Sequence, residues 1–319
     1  MMRRVAAALV AGLLLLSTAA SVAPTAAQEE QRPARATTVP PTEDVRSPYT
    51  VTTYAGGSTV REEALYSRVL DLHTSYRVML PPGYEQRSQR YSVLYMLHGV
   101  AGDSSEWQSI GLLEAADRMI QRGEIDPFLI VLPNGGANYW VNQATGARWA
   151  DYVAKDVVGQ VDRDFRTVAS PSARAIGGLS MGGEGAWRIA MQNPEIFGIA
   201  AAHSPSLRTS FDQFAPELQE IFGDEESWRA ATPLWLVVDT DSAYDLRLAV
   251  DVGEDDPWRP NVELLHQRML YRGISHRFEI LPGGHEAEYW IGNVDHYLLF
   301  YGSAFSESAN LISVDSDRS

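Results

Sequence analysis

Apolar and amphipathic stretches alternate along the middle of this chain. Short runs that are almost wholly apolar, such as 91–97 (YSVLYML) and 128–132 (FLIVL), are typical of strands buried on both faces. Longer stretches between them carry apolar residues at helical spacing, as in 152–165. The pattern predicts strands at 74–80, 91–97, 128–132, 173–178, 197–202, 246–252 and 277–281. It predicts helices at 110–121, 152–165, 182–192, 262–271 and 288–300.

Strand and helix in regular alternation predict an α/β fold, with a mostly parallel sheet covered by helices on both faces. Segments 74–80 and 91–97 flank the turn signal Pro81-Pro82-Gly83, so we expect them to pair as an antiparallel hairpin. Segment 234–238 fits a strand or a buried helix equally well, because periodicity does not separate the two. Whether residues 205–245 form a lid also stays open.

The N-terminus has the composition of a secretory signal peptide. Arg3 and Arg4 precede an apolar stretch at 5–16, which is short for a bilayer span, and small residues with cleavage candidates after Ala23 or Ala27 follow. Export to the medium, the periplasm or the cell envelope is therefore expected, and an uncleaved anchor is the alternative. The predicted organisation is a signal peptide at 1–27, a linker and N-terminal extension at 28–60, a catalytic domain at 61–306 and a flexible polar tail at 307–319.

Charge and cysteine content narrow the function classes. The formal net charge of −15 disfavours nucleic acid and anionic membranes as partners, since phosphates require a basic surface. The chain has no cysteine, which excludes disulfides, a thiol nucleophile and a thiolate metal site. We expect neither a metal nor an organic cofactor.

The segment around Ser180 carries the strongest chemical signal. Gly178-Leu179-Ser180-Met181-Gly182 is a Gly-x-Ser-x-Gly motif between a predicted strand and a predicted helix. On such a turn the serine hydroxyl is exposed above the sheet, and the helix N-terminus favours negative charge beside it. Ser180 is therefore the predicted nucleophile.

A serine nucleophile requires a general base and an acid that orients it. His285 lies in a loop after a predicted strand, where parallel sheets place their sites. His266 and His296 fall within predicted helices, and His276 opens a predicted strand. His285 is the predicted base. Spacing favours Asp256 as the acid, and its neighbour Asp255 stays an alternative. The other candidates between serine and histidine are Asp239, Asp241, Asp245 and Asp251.

Two backbone N–H groups are expected to form an oxyanion hole. Met181 follows the nucleophile, and Val100 follows the early strand 91–97. His98 is expected to organise that loop. Trp107, Trp140 and Trp290 lie near predicted loops and are candidates for lining a substrate pocket, although core packing is the alternative for each.

Four motifs together resemble the Putative esterase family, which includes esterase D (S-formylglutathione hydrolase), bacterial feruloyl esterases and mycolyltransferases. They are Leu97-His98-Gly99 with Trp107, Gly178 to Gly183, Gly253-x-x-Asp256, and Pro282-Gly283-Gly284-His285 followed by Tyr289-Trp290. The resemblance covers about residues 60–305. It implies the α/β-hydrolase fold and acyl transfer through a serine ester, selects Asp256 over Asp255, and supports Val100 and Met181 as oxyanion donors. Glu286 departs from the family, in which many members have Asp or Ser there.

The expected function is an exported serine esterase that acts on small-molecule or polysaccharide-linked esters. An acyltransferase of the mycolyltransferase type would use the same residues, with an alcohol in place of water. A catalytically inactive binding protein of the cell envelope is the alternative from another class. The sequence does not indicate an oligomeric state.

Overall fold

The computed structural model describes residues 51–316 of the 319-residue chain. The predicted signal peptide, the first part of the predicted linker and the last three residues lie outside this range. No helix within 51–316 is long and apolar enough to cross a membrane.

A mixed sheet of nine strands forms the centre of the described region, in the order β1-β2-β3-β5-β4-β6-β7-β8-β9. Strands β4 to β9 run parallel to one another, and β1 to β3 form an antiparallel extension at one edge. The strands are β1 (Thr52–Thr53), β2 (Thr59–Ser67), β3 (Leu72–Leu80), β4 (Val93–Leu97), β5 (Leu129–Pro133), β6 (Arg174–Leu179), β7 (Ile199–His203), β8 (Arg247–Gly253) and β9 (His276–Leu281).

Helices cover both faces of this sheet, as the alternation predicts. The α-helices within 51–316 are α1 (Glu106–Ser109), α2 (Leu112–Arg122), α3 (Trp149–Asp151), α4 (Val158–Asp164), α5 (Met181–Gln192), α6 (Pro216–Phe222), α7 (Glu225–Ala231), α8 (Pro233–Asp239), α9 (Arg259–Arg272) and α10 (Ala287–Ser316). A π-helical segment, Tyr152–Val157, joins α3 to α4. Short 3-10 turns lie at Tyr84–Gln86, Pro171–Ala173, Phe211–Gln213 and Ser242–Asp245.

Strand β4 shows how the two cores form. Val93, Tyr95 and Leu97 point into the core beneath α4, α5, α8 and α9, whereas Leu94 and Met96 point into the core beneath α2 and α10. Successive side chains of a strand point to opposite faces, so an unbroken apolar run is what a doubly covered strand requires. The fold is that of an α/β hydrolase, as predicted.

The predicted hairpin is wrong. Strand β3 pairs with β2 on one side and β5 on the other, while β4 lies between β5 and β6. Strand β5 is thus inserted between the two segments expected to pair. Local pattern identified both strands, but their neighbours in the sheet depend on contacts distant in sequence.

Secondary structure continues beyond both predicted boundaries of the catalytic domain. Strands β1 and β2 begin at Thr52 and Thr59, so the extension predicted through residue 60 already belongs to the sheet. Helix α10 continues through Ser316, beyond the boundary predicted at 306. Near that boundary Phe305 packs on Phe128, and Glu307 forms an ion pair with Arg247.

Residues 205–245 contribute buried side chains to one of the two cores. Segment 234–238 lies in α8, where Leu234, Leu236 and Val237 are buried against the same core as α5 and α9. Phe214, Phe222 and Trp228 extend that core beneath α6 and α7. The ambiguous stretch is therefore a buried helix, and its apolar run reflects burial on most sides.

Candidate active site

Ser180 occupies the sharp turn between β6 and α5. Its backbone has φ 52° and ψ −119°, a conformation that a residue with a side chain rarely adopts. A Cβ at Gly182 would lie 2.3 Å from the carbonyl oxygen of Leu97, and one at Gly178 would lie 2.4 Å from the carbonyl of Gly182. The two glycines are thus required because the backbones of β6, the turn and the neighbouring β4 lie too close together to leave room for a Cβ atom.

The structure brings Ser180, His285 and Asp256 into one hydrogen-bonded chain. Ser180 Oγ lies 2.8 Å from His285 Nε2, and His285 Nδ1 lies 2.8 Å from Asp256 Oδ2. The Asp256 side chain is fully buried, whereas that of His285 keeps 22% of its surface exposed. A histidine between a hydroxyl and a buried carboxylate has its Nδ1–H held by the acid, which leaves Nε2 able to accept the hydroxyl proton.

Asp256 differs in its surroundings from the other candidate acids. Asp255 is exposed, and Asp251 is buried in β8, where it accepts a hydrogen bond from His203 rather than His285. Burial raises the pKa of Asp256, but hydrogen bonds from His285, Ser204 and the backbone N–H of Trp258 outweigh it, so the pKa of Asp256 lies below its ordinary value. The carboxylate is therefore kept ionised.

The two predicted oxyanion donors come from neighbouring segments. Val100 lies in the turn after β4, and Met181 is the first residue of α5. The end of β4 meets the start of α5 directly, because the carbonyls of Leu97 and His98 flank Gly182. Both backbone N–H groups thus belong to the region beside Ser180.

His98 holds the loop that carries Val100. Its Nδ1 lies 2.7 Å from the Gly99 carbonyl oxygen, and its Nε2 accepts a hydrogen bond from the Gly135 N–H at 3.1 Å. Burial lowers the pKa of His98, consistent with a neutral ring that donates at Nδ1 and accepts at Nε2. The expected role as an organiser of the loop matches these contacts.

The predicted pocket tryptophans belong to the core instead. Trp107 and Trp140 are 1% and 0% exposed, and their indole N–H groups donate to the carbonyls of Leu97 and His98. Trp290 is 7% exposed, donates to the His203 carbonyl, and places its ring edge-on to His285 at 5.1 Å. These tryptophans support the loops and the histidine, since a large ring near a loop satisfies its N–H through the adjacent backbone.

Ser204 is a site residue that the sequence did not reveal. It follows β7 with φ 51°, is fully buried, and donates its hydroxyl to Asp256 Oδ2, the same oxygen that His285 contacts. Its N–H donates to the carbonyl of Asp251 at 2.9 Å. A serine in a Ser-Pro-Ser loop has no distinguishing local pattern, so only the fold identifies it.

A second buried polar group lies beneath the site. His203 Nδ1 lies 2.6 Å from Asp251 Oδ2, and Tyr289 donates to Asp251 Oδ1 at 2.6 Å. The ring of His203 stacks on Tyr297 at 3.6 Å, and its carbonyl accepts the Ser180 N–H at 3.1 Å. This group ties the backbone of Ser180 to β7, β8 and α10.

Comparisons with known proteins agree with this architecture. A ferulic acid esterase structure superposes with a TM-score of 0.70 at 26% identity, over 78% of this chain and 99% of that one. An S-formylglutathione hydrolase of Staphylococcus aureus superposes with a TM-score of 0.66 at 20% identity, over 76% of this chain and 98% of that one, a likeness of fold.

Sequence relatives point to the same group. An esterase of Mycobacterium tuberculosis is 28% identical over 239 residues, which cover 65% of this chain and 51% of that protein. The chain thus matches about half the length of that relative. An endo-1,4-beta-xylanase/feruloyl esterase of Xylanibacter ruminicola is 32% identical over 132 residues, 38% of this chain and 18% of that protein. The family model described as Putative esterase matches residues 67–301, so the chain belongs to that family.

Proposed function

We propose that this protein is an exported serine esterase that hydrolyses carboxylic esters through an acyl-enzyme on Ser180. The observation that carries the proposal is the chain of contacts from Ser180 Oγ to His285 Nε2 and from His285 Nδ1 to Asp256, each 2.8 Å long. Membership of an esterase family and the low pKa of Asp256 support it.

The reaction begins with attack of Ser180 Oγ on the ester carbonyl carbon. His285 Nε2 takes the hydroxyl proton, and Asp256 stabilises the imidazolium that forms. The N–H groups of Val100 and Met181 donate to the oxyanion of the tetrahedral intermediate. Collapse of that intermediate breaks the bond to the alcohol oxygen, which receives the proton from His285.

Deacylation repeats these steps with water as the nucleophile. His285 removes a proton from water as it attacks the Ser180 ester, and returns it to Ser180 Oγ when the carboxylic acid leaves. If a sugar or another alcohol replaces water, the same steps yield a new ester, which is the transferase alternative. Product analysis with and without an added alcohol separates the two.

The test is hydrolysis of 4-nitrophenyl esters from acetate to decanoate, together with a feruloyl ester, by wild type and Ser180→Ala. We expect the variant to lose at least about 10³-fold in kcat/KM, because the nucleophile is absent. Thr209→Ala, in the exposed loop after β7, is a control for handling and folding. Activity that survives in folded Ser180→Ala would overturn the assignment of the nucleophile.

A fluorophosphonate probe gives an independent measurement. We expect covalent labelling of Ser180 in wild type, since the probe requires an activated serine. Folded wild type that neither reacts with the probe nor hydrolyses any ester in the series would favour the inactive binding protein.

Export is tested separately, by determining the N-terminus of the protein recovered from the medium or envelope of expressing cells. Cleavage near Ala23 or Ala27 is expected.

A further inference from the structure

Arg208 lies in the loop that runs from β7 past the nucleophile. Ser206 in this loop donates its N–H to the carbonyl of Ser180 at 3.2 Å. Two residues later, Arg208 donates through Nη1 to the carbonyl of Ser206 at 3.2 Å. The guanidinium is thus fixed to the backbone segment that touches Ser180.

Three aromatic rings from separate segments surround this guanidinium. Its Cζ lies 4.2 Å from the ring centre of Phe214, 4.8 Å from that of Trp258 and 5.5 Å from that of Tyr139. Trp258 comes two residues after Asp256, and Tyr139 precedes Trp140, whose indole bonds to the loop of Val100. Arg208 therefore lies at the carboxyl edge of the sheet, between the acid side and the oxyanion side of the site.

Arg208 forms no ion pair with a carboxylate among the described residues, although Glu184 lies near enough for the charge of the guanidinium to act on its pKa. No Asp or Glu oxygen in that range lies within 4.0 Å of its nitrogens, and its buried Nε has no hydrogen-bond partner there. The nearby buried Glu184 is bound to Arg188, with Nη2 to Oε1 at 2.5 Å. Because Nε is enclosed by its surroundings, a ligand can approach this guanidinium only through Nη1 and Nη2.

We propose that Arg208 binds a carboxylate carried by the ester substrate, which makes anionic esters the preferred substrate class. This inference rests on the proposed esterase function. The fork of guanidinium N–H groups matches two carboxylate oxygens, and the three rings exclude water from the contact. A local cation is needed for such substrates, because a chain with a net charge of −15 repels anions elsewhere.

The carboxylate can belong to the acyl group or to the alcohol, and paired esters distinguish these sources. For the acyl side, mono(4-nitrophenyl) succinate is compared with 4-nitrophenyl butyrate. For the alcohol side, 4-acetoxybenzoate is compared with its methyl ester. The quantity measured is the ratio of kcat/KM for the anionic ester to kcat/KM for its neutral partner, in wild type, Arg208→Gln and Arg208→Lys.

We expect this ratio to fall at least tenfold in Arg208→Gln for one of the two pairs, with a smaller fall in Arg208→Lys, which keeps the charge but not the fork. Arg229→Gln is the matched control, because Arg229 also stacks on an indole, that of Trp235 at 3.9 Å, but lies exposed on α7. Its ratios are expected to match wild type.

Wild type alone provides a second measurement if the variants do not fold. At one fixed ionic strength, kcat/KM of wild type for the anionic ester of the preferred pair is expected to equal or exceed that for its neutral partner, although the net charge of −15 opposes the approach of an anion. Ratios that Arg208→Gln leaves unchanged for both pairs, or wild type that prefers the neutral ester of each pair by 100-fold, would overturn the proposal. Failure to hydrolyse any ester of either pair would instead contradict the esterase function itself.

Discussion

Ser204 shows how one side chain contributes to the state of the predicted acid. It is buried, holds a left-handed backbone conformation with φ 51°, and donates to the carboxylate oxygen that also faces His285. Its hydroxyl is one of the donors that lower the pKa of Asp256 against the effect of burial. Ser204 does not reach the reacting atoms, so we regard it as a positioning residue.

Replacing Ser204 should reduce both kcat/KM and the part of the unfolding free energy that depends on ionised Asp256. We expect kcat/KM to fall about tenfold in Ser204→Gly and Ser204→Ala, since a hydrogen bond to a charged group contributes about 1.5–3 kcal/mol. The native pKa of Asp256 is depressed, so its stabilising contribution is present above the unfolded value near pH 3.9 and is lost as the pH falls through the native value. The difference in unfolding free energy between wild type and Ser204→Gly should therefore shrink between pH 7 and pH 3.

The two Ser204 variants separate the hydroxyl from the backbone. Glycine adopts φ 51° without strain and alanine does not, so equal losses of kcat/KM would assign the effect to the hydroxyl. A loss confined to Ser204→Ala would contradict the positioning role. Urea unfolding at several pH values and steady-state kinetics provide the two measurements.

Motif residues were easier to predict than their surroundings. Ser180 and His285 were placed by chain order and by the turn that each occupies, and they lie in contact. The tryptophans were misplaced because loop proximity along the chain does not indicate whether a ring faces solvent or the core. Asp256 and Asp255 differ by one residue, and only the fold shows that the first is buried and the second exposed.

At the scale of elements, the junction of β6 and α5 depends on glycine contacts with neighbouring backbone. Gly182→Ala would place a Cβ 2.3 Å from the Leu97 carbonyl oxygen, and neither backbone can yield easily. We expect it to destabilise the protein by about 2–4 kcal/mol, within the range of severe single substitutions. Activity should fall as well, because α5 carries Met181.

Gly159→Ala is the matched control for this prediction. Gly159 lies exposed in helix α4, and a Cβ there meets no neighbouring atom within 4 Å. Alanine should stabilise this variant by about 0.5–1 kcal/mol through its helix propensity. Urea denaturation of both variants measures the contrast, and a Gly182→Ala variant as stable as wild type would contradict the contact argument.

Most elements were predictable because a strand buried on both faces and an amphipathic helix have distinct patterns. Strand β2 was missed, since only Val60, Leu65 and Ser67 are buried among polar neighbours in an edge region. Helices α6 and α7 were not identified either, because their apolar residues are few and the segments are short. Strand order in the sheet depends on pairing between segments that lie far apart in the sequence, and a local pattern carries no information about such pairing.

At the scale of the whole molecule, helix α10 connects the site to the rest of the core. It begins two residues after His285 and supplies Tyr289, Trp290 and Tyr297 to the buried group around Asp251. It continues past the domain boundary predicted at 306, and polar composition does not reveal an ion pair such as that between Arg247 and Glu307. The helix is therefore part of the architecture that supports Ser180 and His285 from below.

This connection predicts unequal effects for two tyrosines of α10. Tyr289 donates to Asp251 Oδ1 at 2.6 Å, whereas Tyr297 donates to the same oxygen at 3.3 Å. Burial raises the pKa of both phenols, so both stay protonated and keep donating at any pH near neutrality. Tyr289→Phe should reduce the unfolding free energy by about 1.5–3 kcal/mol, and Tyr297→Phe by less than about 1 kcal/mol, because the longer bond is weaker.

Urea denaturation of both single variants and the double variant measures this difference. Since the two phenols share one acceptor, the double variant should lose more stability than the sum of the singles, as Asp251 then keeps only its contact with His203. Equal losses of unfolding free energy in the two single variants would contradict the ranking of the two hydrogen bonds by their length. Strictly additive losses would mean that the phenols act separately, and that α10 is held to the sheet mainly by apolar packing.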